Sequence, residues 1–231
     1  ERGLFDMLFF QDSAAVPTAF FLPGANPEII ARAARCVRLE PLTMLAALAT
    51  VTSRIGLVST ATTTYNDPYN IARKFATIDH ISRGRAGWNL VTSQNEDEAQ
   101  NFGREAHVEH ADRYARAEEF HDVVRGLWDS WDDDAIIRDA ESGRYIDPAK
   151  MHILHHKGER FSVRGPLNIA RPPQGHPIVA QAGSSEPGRA LAARTADVVF
   201  TAQVDIAEAK AFYDDIKRRM PAHGRQPDDL K

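Results

Sequence analysis

Residues 82–93 form the segment richest in side chains that could contact a ligand. Two glycines, an arginine pair, a tryptophan and an asparagine fall within its first eight positions, and Thr92-Ser93 follows the apolar Leu90-Val91. The segment joins a helix-like run to a strand-like run, so its polar residues come where a strand ends. Ligands of parallel sheets bind at the carboxyl ends of the strands. The Thr92-Ser93 hydroxyls and the Asn89 amide therefore predict a ligand site.

A second polar segment, residues 181–188, joins a predicted strand to a predicted helix. Gly183 permits a tight turn, and either Ser184 or Ser185 can cap the helix, with Pro187 in its first turn. Free N–H groups and two hydroxyls at a helix start are typical of a phosphate site. The same residues also make an ordinary helix cap, and this segment alone leaves the two interpretations equally open.

A third candidate lies at the start of the clearest predicted helix, residues 112–128, which Asp112 can cap. His110 is expected just outside this helix start and Tyr114 in the first turn. Both side chains can then donate hydrogen bonds to a phosphate at the ends of the strands. Taken alone, a histidine and a tyrosine near a helix cap are more often structural.

Two further candidates depend on their position in predicted strands. Thr60 and Thr62 alternate with an alanine, so their side chains lie on the same face of a strand. Asp12 follows the first predicted strand, where barrel enzymes place functional residues. Both signals also have a purely structural explanation: Thr60 and Thr62 could be ordinary strand residues, and Asp12 could stabilise a turn.

Metal and dinucleotide sites are not indicated. His152, His155 and His156 lie close in sequence, but no cysteine or carboxylate set accompanies them at ligand spacing, which disfavours zinc. The chain has neither a glycine-rich dinucleotide fingerprint nor a phosphate-binding lysine loop. We therefore predict no metal site.

Composition excludes several classes of protein. A net charge of −4 among 231 residues, with no polybasic tract, argues against nucleic-acid or anionic-membrane binding. No run approaches the ~20 apolar residues of a membrane helix. The single Cys36 rules out an internal disulfide framework and fits a reducing cytoplasm. Nearby arginines could lower the pKa of Cys36, yet we interpret it as a passive thiol because no histidine is nearby in sequence.

Strands alternate with helices along the chain, which predicts a parallel α/β arrangement in a single domain over residues 1–231. A TIM barrel has about eight strands, so five indicate an incomplete barrel, with one strand expected before Glu1 and two after Lys231. Residues 135–176 are expected to form a long excursion or a small β-hairpin. The predicted strands are 4–10, 55–64, 88–92, 177–182 and 198–202. The predicted helices are 29–37, one that begins at 40–41, 69–81, 112–128, 186–195 and 206–220. The apolar stripe of the helix over 112–128 is expected to extend to Trp131.

Together these segments resemble the bacterial-luciferase-like flavin monooxygenases, and most of all the nitrilotriacetate, EDTA and dibenzothiophene-sulfone monooxygenase group. The most specific match is the run from Gly87-Trp88-Asn89 to Ser93, and the similarity covers nearly the whole chain. The matching segments are residues 1–5, 40–41, 60–69, 75–80, 82–93, 101–103, 110–114, 165–167 and 181–185.

The resemblance implies a TIM barrel that binds reduced FMN at the carboxyl ends of its strands. It implies a cytoplasmic two-component enzyme in which a separate NADH:flavin oxidoreductase supplies FMNH2, with a homo-oligomer (dimer or tetramer) as the assembly. Such an enzyme uses O2 to oxygenate a small organic substrate, commonly with C–N or C–S cleavage. The FMN contacts of the family fall on Asp12, Thr60, His110, Tyr114, Ser184 and Ser185, with His110 also the candidate acid–base group.

Three alternatives stay open at this point. The chain could be a luciferase-like protein that binds flavin without turnover, or an oxidoreductase of the same superfamily that uses the deazaflavin F420. It could also be a barrel fragment without function.

Overall fold

A computed structural model describes residues 3–16, 24, 26–32 and 37–231. A five-stranded parallel sheet forms its centre, in the strand order β1-β2-β3-β6-β7. Two further strands, β4 and β5, pair as a separate antiparallel hairpin. The strands are β1 (Met7–Phe10), β2 (Gly56–Thr62), β3 (Ala86–Val91), β4 (His156–Lys157), β5 (Ser162–Val163), β6 (Ile178–Gln181) and β7 (Val198–Val199).

Helices follow the strands of this sheet in the manner of a βα barrel. The sheet curls into half of a barrel, which confirms the expected α/β class and the incomplete barrel. The helices are α1 (Pro27–Ala31), α2 (Pro41–Val51), α3 (Pro68–Ser82), α4 (Glu96–Asn101), α5 (His110–Trp128), α6 (Glu186–Thr195) and α7 (Ile206–Arg219).

The main core lies between the sheet and helices α3 and α5, and Trp88 is at its centre. The indole is fully buried, with ring centroids 5.9 Å from Phe75 and 5.8 Å from Phe120. Its Nε1 donates to the carbonyl of Ala61 at 2.9 Å, so the polar atom is satisfied. Trp88 therefore serves the core, whereas the next residue, Asn89, points to the opposite face of the sheet.

The start of α5 differs from the expectation. The helix begins at His110 with Glu109 at the cap position, so Asp112 lies inside the first turn and the prediction that it caps the helix is wrong. The Asp112 carboxylate instead pairs with Arg160 at 3.2 Å. A carboxylate is favourable both at the cap position and in the first turn, where it interacts with the helix dipole. Because the sequence does not distinguish these two positions, the predicted helix start is two residues too late.

Several other boundaries shift. Leu4 is 90% exposed with a φ of 56°, and β1 begins only at Met7. The strand expected over 198–202 is reduced to two residues. Trp131 lies beyond the end of α5, where its indole donates to the carbonyl of Leu167 at 2.8 Å. The helix expected over 29–37 is seen only as α1, and residues 33–36, including Cys36, lie outside the described part of the chain.

The excursion between α5 and β6 contains the β4–β5 hairpin, one of its two expected forms. Its histidines are separated, since His152 pairs with Asp132 and His156 with Glu119, each at 2.9 Å. Within the described residues, no three His, Cys, Asp or Glu side chains are grouped so as to hold a metal ion. In the same part of the chain, no helix has both the length and the apolar character required to cross a membrane.

Arg85 connects the end of α2 to the start of β3. Its guanidinium donates to the carbonyls of Ala49, Thr52 and Ile55 at 2.8–3.1 Å, and its Nε donates to the carbonyl of Ser82 at 2.7 Å. The carbonyls of Ala49, Thr52 and Ser82 lie at the ends of α2 and α3, where helix carbonyls have no partner within the helix, and that of Ile55 lies just before β2. The half-buried cation thereby fixes where β3 enters the sheet.

Replacement of Arg85 by methionine is expected to lower the free energy of unfolding by about 3 kcal/mol, because several partly buried carbonyls lose a charged donor. Urea unfolding measures this difference. The matched control is Arg73→Met on the exposed face of α3, which is expected to change stability by less than about 0.5 kcal/mol. Equal effects of the two substitutions would contradict the structural role of Arg85.

Candidate active site

A cleft of about 690 Å³ opens at the carboxyl ends of the sheet strands. Cofactor and small-molecule sites are generally of this size and in this position. The loops after β1, β3 and β6, the last of which ends at the Ser185 cap of α6, and the first turn of α5 form its walls. All six binding residues predicted from the sequence line this one cleft: Asp12, Thr60, His110, Tyr114, Ser184 and Ser185.

Asn89 and Thr60 form the floor of the cleft. They are directly opposite each other in the β2–β3 pairing, and Asn89 Nδ2 donates to Thr60 Oγ1 at 2.7 Å. Asn89 is only 3% exposed, and its Oδ1 has no hydrogen-bond partner among the described residues. A buried acceptor without a partner requires explanation, and a donor group of a ligand in the cleft would supply the missing bond.

Ser93 forms the part of the wall that follows β3. Its backbone has a φ of 56°, an uncommon conformation for a residue with a side chain, of the kind that clusters at functional sites. The hydroxyl donates to Thr62 Oγ1 at 2.9 Å, and the carbonyl accepts a hydrogen bond from Arg113. The expectation that the polar end of this segment faces a ligand site agrees with the position of Ser93 in the cleft lining.

The start of α6 forms the opposite end of the cleft. Ser185 caps the helix by accepting from the backbone N–H of Gly188 at 3.2 Å, and its hydroxyl lies 3.4 Å from Tyr114 Oη. A Cβ on Gly183 would lie 3.0 Å from Tyr114 Oη and 3.1 Å from Gly188 Cα. The two glycines therefore allow the loop, the helix start and the tyrosine to converge, with Ser184 beside them in the lining.

Charge at this helix start is balanced from outside the cleft. Glu186, the first residue of α6, would by itself repel an anion. Its carboxylate receives bonds from Arg219 at 2.6 and 2.9 Å and from Arg189 at 3.0 Å. Hydrogen bonding to Arg219, followed by Arg189, lowers the pKa of Glu186 below its ordinary value. The paired carboxylate thus leaves the helix dipole able to attract an anion.

His110 and Tyr114 lie one turn apart on α5, with ring centroids 4.9 Å apart. His110 is the first residue of the helix rather than a residue outside it. Both side chains line the cleft near the Ser185 hydroxyl that Tyr114 contacts. The expectation that the pair faces the strand ends agrees with this arrangement.

Asp12 lies in the loop after β1, with its Oδ1 accepting from the backbone N–H of Ser13 at 2.8 Å. Burial raises the pKa of the Asp12 carboxyl above its ordinary value, and the negative charges of Glu40 and Glu98 raise it further. Glu98, on α4, accepts from the backbone N–H of Ala14 at 3.2 Å through Oε1. This end of the cleft therefore carries two carboxyl groups.

Two charged residues of the cleft lining, Arg113 and Glu98, were not predicted from the sequence. Arg113 is the one lysine or arginine among the described residues that line the cleft. Its spacing of three residues from His110 places both on one face of α5, and this signal could have identified it. Glu98 offered no comparable signal, because the short acidic helix α4 that carries it has no apolar periodicity.

The half-barrel and the polar cleft at its strand ends define a βα-barrel protein with a ligand site in the usual position of that fold. A family model described as luciferase-like monooxygenase matches residues 10–231. The chain belongs to this family, as the resemblance in its motifs predicted.

Individual relatives agree with the family assignment. Nitrilotriacetate monooxygenase component A from Aminobacter aminovorans is 58% identical over 100% of this chain and 51% of that protein. The solved structure of a long-chain alkane monooxygenase superposes with a TM-score of 0.93 at 38% identity, covering 100% of this chain and 53% of the other. A riboflavin lyase solved with modified FMN and riboflavin has a TM-score of 0.89 at 37% identity, covering 98% and 50%. The chain spans about half the length of the curated relatives it matches.

Replacement of Asp12 by asparagine is expected to stabilise the protein at about pH 7. Since the folded-state pKa is raised, ionised Asp12 costs stability at any pH above its unfolded value of about 3.9. The gain in the free energy of unfolding should be complete above the raised folded-state pKa and fade as the pH falls through it toward the unfolded value of about 3.9.

Urea unfolding of the Asp12→Asn variant between about pH 7 and pH 4 measures this dependence. Asparagine retains an acceptor for the Ser13 N–H, so the turn is preserved. Asp214→Asn, at an exposed position on α7, is the control and should show no such trend. A stability change in Asp12→Asn that is independent of pH would contradict the burial argument.

Proposed function

We propose that the cleft binds reduced FMN and that the protein acts as an FMNH2-dependent monooxygenase. The observation that carries the proposal is the convergence of the six predicted residues on one cleft that ends at the capped start of α6. Membership in the luciferase-like family supports the same cofactor. The cytoplasmic location, the NADH-dependent flavin reductase as partner and a homo-oligomeric assembly are part of this proposal.

The α6 end of the cleft fits the phosphate of FMN. The N–H groups of a helix start, together with the hydroxyls of Ser184 and Ser185, form the usual anion site of βα proteins. Tyr114 Oη adds a donor beside Ser185, and His110 lies on the same side. The close approach of Gly183 to Gly188 brings the loop backbone against the helix start at this corner.

The floor of the cleft fits the polar edge of a flavin ring. The buried Asn89 Oδ1 without a partner would accept a ring N–H, and its orientation is fixed by the bond from Nδ2 to Thr60. Asp12 offers a second acceptor at the other wall. Arg113 supplies positive charge in a cleft that would hold an anionic cofactor.

Reduced FMN, when bound, supplies the electrons that activate O2, while the protein binds, orients and shields it. The cleft walls would exclude bulk water from the reacting groups. His110, the first residue of α5, would hold or accept a proton as the acid–base group. A small organic substrate that undergoes C–N or C–S cleavage fits two relatives, one named for nitrilotriacetate and one for dibenzothiophene sulfone.

His110→Ala and Ser185→Ala are each expected to weaken FMNH2 binding by about 1–3 kcal/mol, because a charged acceptor in the cleft loses a donor. An anaerobic titration followed by flavin fluorescence measures the affinities. His152→Ala, in the excursion that carries β4 and β5, is the control and should bind like the wild type. Wild-type affinity in both cleft variants would contradict the proposed phosphate end.

Turnover separates this proposal from a flavin-binding protein without catalysis. With a flavin reductase and NADH supplying FMNH2 in air, the enzyme should consume O2 in a substrate-dependent manner with aminopolycarboxylates or organosulfur compounds as test substrates. Saturable FMNH2 binding with no substrate-dependent oxygenation across that set would favour the non-catalytic alternative.

A further inference from the structure

A short chain of hydrogen bonds, centred on His107 in the segment between α4 and α5, links Arg113 of α5 to Tyr65 in the loop after β2. Arg113 Nη1 lies 3.0 Å from His107 Nε2, and His107 Nδ1 lies 2.8 Å from Tyr65 Oη. His107 and Tyr65 are themselves outside the cleft lining, whereas Arg113 is part of it. The histidine can therefore affect a ligand only through Arg113.

The contacts define the protonation of the His107 ring. A guanidinium has donors only, so Nε2 must accept the bond from Arg113. The ring proton then lies on Nδ1, which donates to Tyr65 Oη. A neutral imidazole with the proton on Nδ1 satisfies both contacts, whereas a proton on Nε2 would face the N–H groups of Arg113.

Neighbours from several elements hold the ring in this orientation. The backbone N–H of His107 donates to Glu96 Oε2 on α4 at 3.0 Å. The ring centroid of Tyr65 lies 5.7 Å from that of His107 and 4.6 Å from that of Phe102, both in stacked geometry. Besides Glu96 and Arg113, the charged groups near this stack are Glu98 and Arg104, which lies over the Tyr65 ring at 5.8 Å. Burial raises the pKa of Tyr65, and the negative charge of Glu98 raises it further. The half-buried ring is thus fixed by hydrogen bonds and stacking together.

The guanidinium that His107 orients also holds the strained part of the cleft wall. The same Arg113 Nη1 donates to the carbonyl of Ser93, whose φ is 56°. Arg113 is 9% exposed, and its Nε has no partner among the described residues. Among the described residues its side chain hydrogen-bonds to Ser93 and His107, so the orientation of this buried cation depends on both.

We propose that His107 is a positioning residue of the flavin site, acting as a neutral acceptor that orients Arg113 and, through it, the Ser93 wall. The inference rests on the proposed function, since FMNH2 is taken as the ligand. It assigns to the Arg113 guanidinium a fixed orientation within the cleft wall. It also gives the segment between α4 and α5 a role in binding, although His107 does not line the cleft.

Replacement by leucine and by glutamine separates an acceptor from a space-filling residue. His107→Leu should weaken FMNH2 binding about tenfold, because Arg113 loses its acceptor. His107→Gln retains an amide oxygen that can accept from Arg113 and should stay within about threefold of the wild type. The affinities come from anaerobic FMNH2 titration, with His152→Leu as the control that changes a histidine far from the cleft.

Nitrogen NMR of histidine-labelled wild-type protein reports the tautomer of His107 independently of flavin. The expected signal is that of a neutral ring protonated at Nδ1, and an Nε2-protonated or doubly protonated ring would overturn the proposal. Should His107→Leu fail to fold, Tyr65→Phe removes only the hydroxyl that accepts from Nδ1 and should weaken binding severalfold.

The outcomes distinguish this inference from the proposed function. Tenfold loss in His107→Leu with recovery in His107→Gln supports the positioning role. Equal loss in both variants, or wild-type affinity in both, overturns that role while FMNH2 binding by the wild type stands. Absence of FMNH2 binding by the wild type, with the Nδ1-protonated signal present, would overturn the flavin ligand but leave the geometry of the histidine intact.

Discussion

The parallel pairing of β2 with β3 is the constraint on which the site depends. Its register places Thr60 opposite Asn89 and directs both side chains to the inner face, where the cleft opens. The alternate positions send Trp88 to the outer face, between α3 and α5. A shift of one residue would exchange the two faces, burying the amide in the core and exposing the indole. Core packing around Trp88 and the orientation of Asn89 are therefore fixed by the same register.

The second determinant of the site is the approach of the starts of α5 and α6 to each other at the carboxyl ends of the strands. Tyr114 of α5 approaches the loop before α6 so closely that a Cβ at position 183 or 188 would lie 3.0 Å from Tyr114 Oη. The Ser185 cap and the pairing of Glu186 with Arg219 leave a polar corner with little negative charge at the start of α6. The carboxyl groups of Asp12 and Glu98 lie in the lining contributed by the β1 loop and α4. The cleft thus has two chemically different ends, as a ligand with a phosphate and a polar ring would require.

Much of the arrangement could be predicted from the sequence, because strand ends and helix starts have strong local signals. The five strands of the sheet, a cap at Ser184 or Ser185, and a ligand-facing Asn89 follow from alternation and capping rules. Thr60 entered the predicted site through the family resemblance. The helix α4 was not predicted, since its acidic residues form no apolar stripe. The Asp112 cap was misassigned because a carboxylate favours both the cap and the first turn. The roles of Arg113 and His107 depend on contacts between separate segments, which local patterns do not encode.

A crystal structure of the protein grown anaerobically with reduced FMN would test the proposed cleft most directly. We expect the phosphate at the start of α6, within hydrogen-bonding distance of the Ser185 hydroxyl and Tyr114 Oη, and a ring N–H directed at Asn89 Oδ1. A flavin bound elsewhere, or bound here with its phosphate at the Asp12 end, would contradict this expectation.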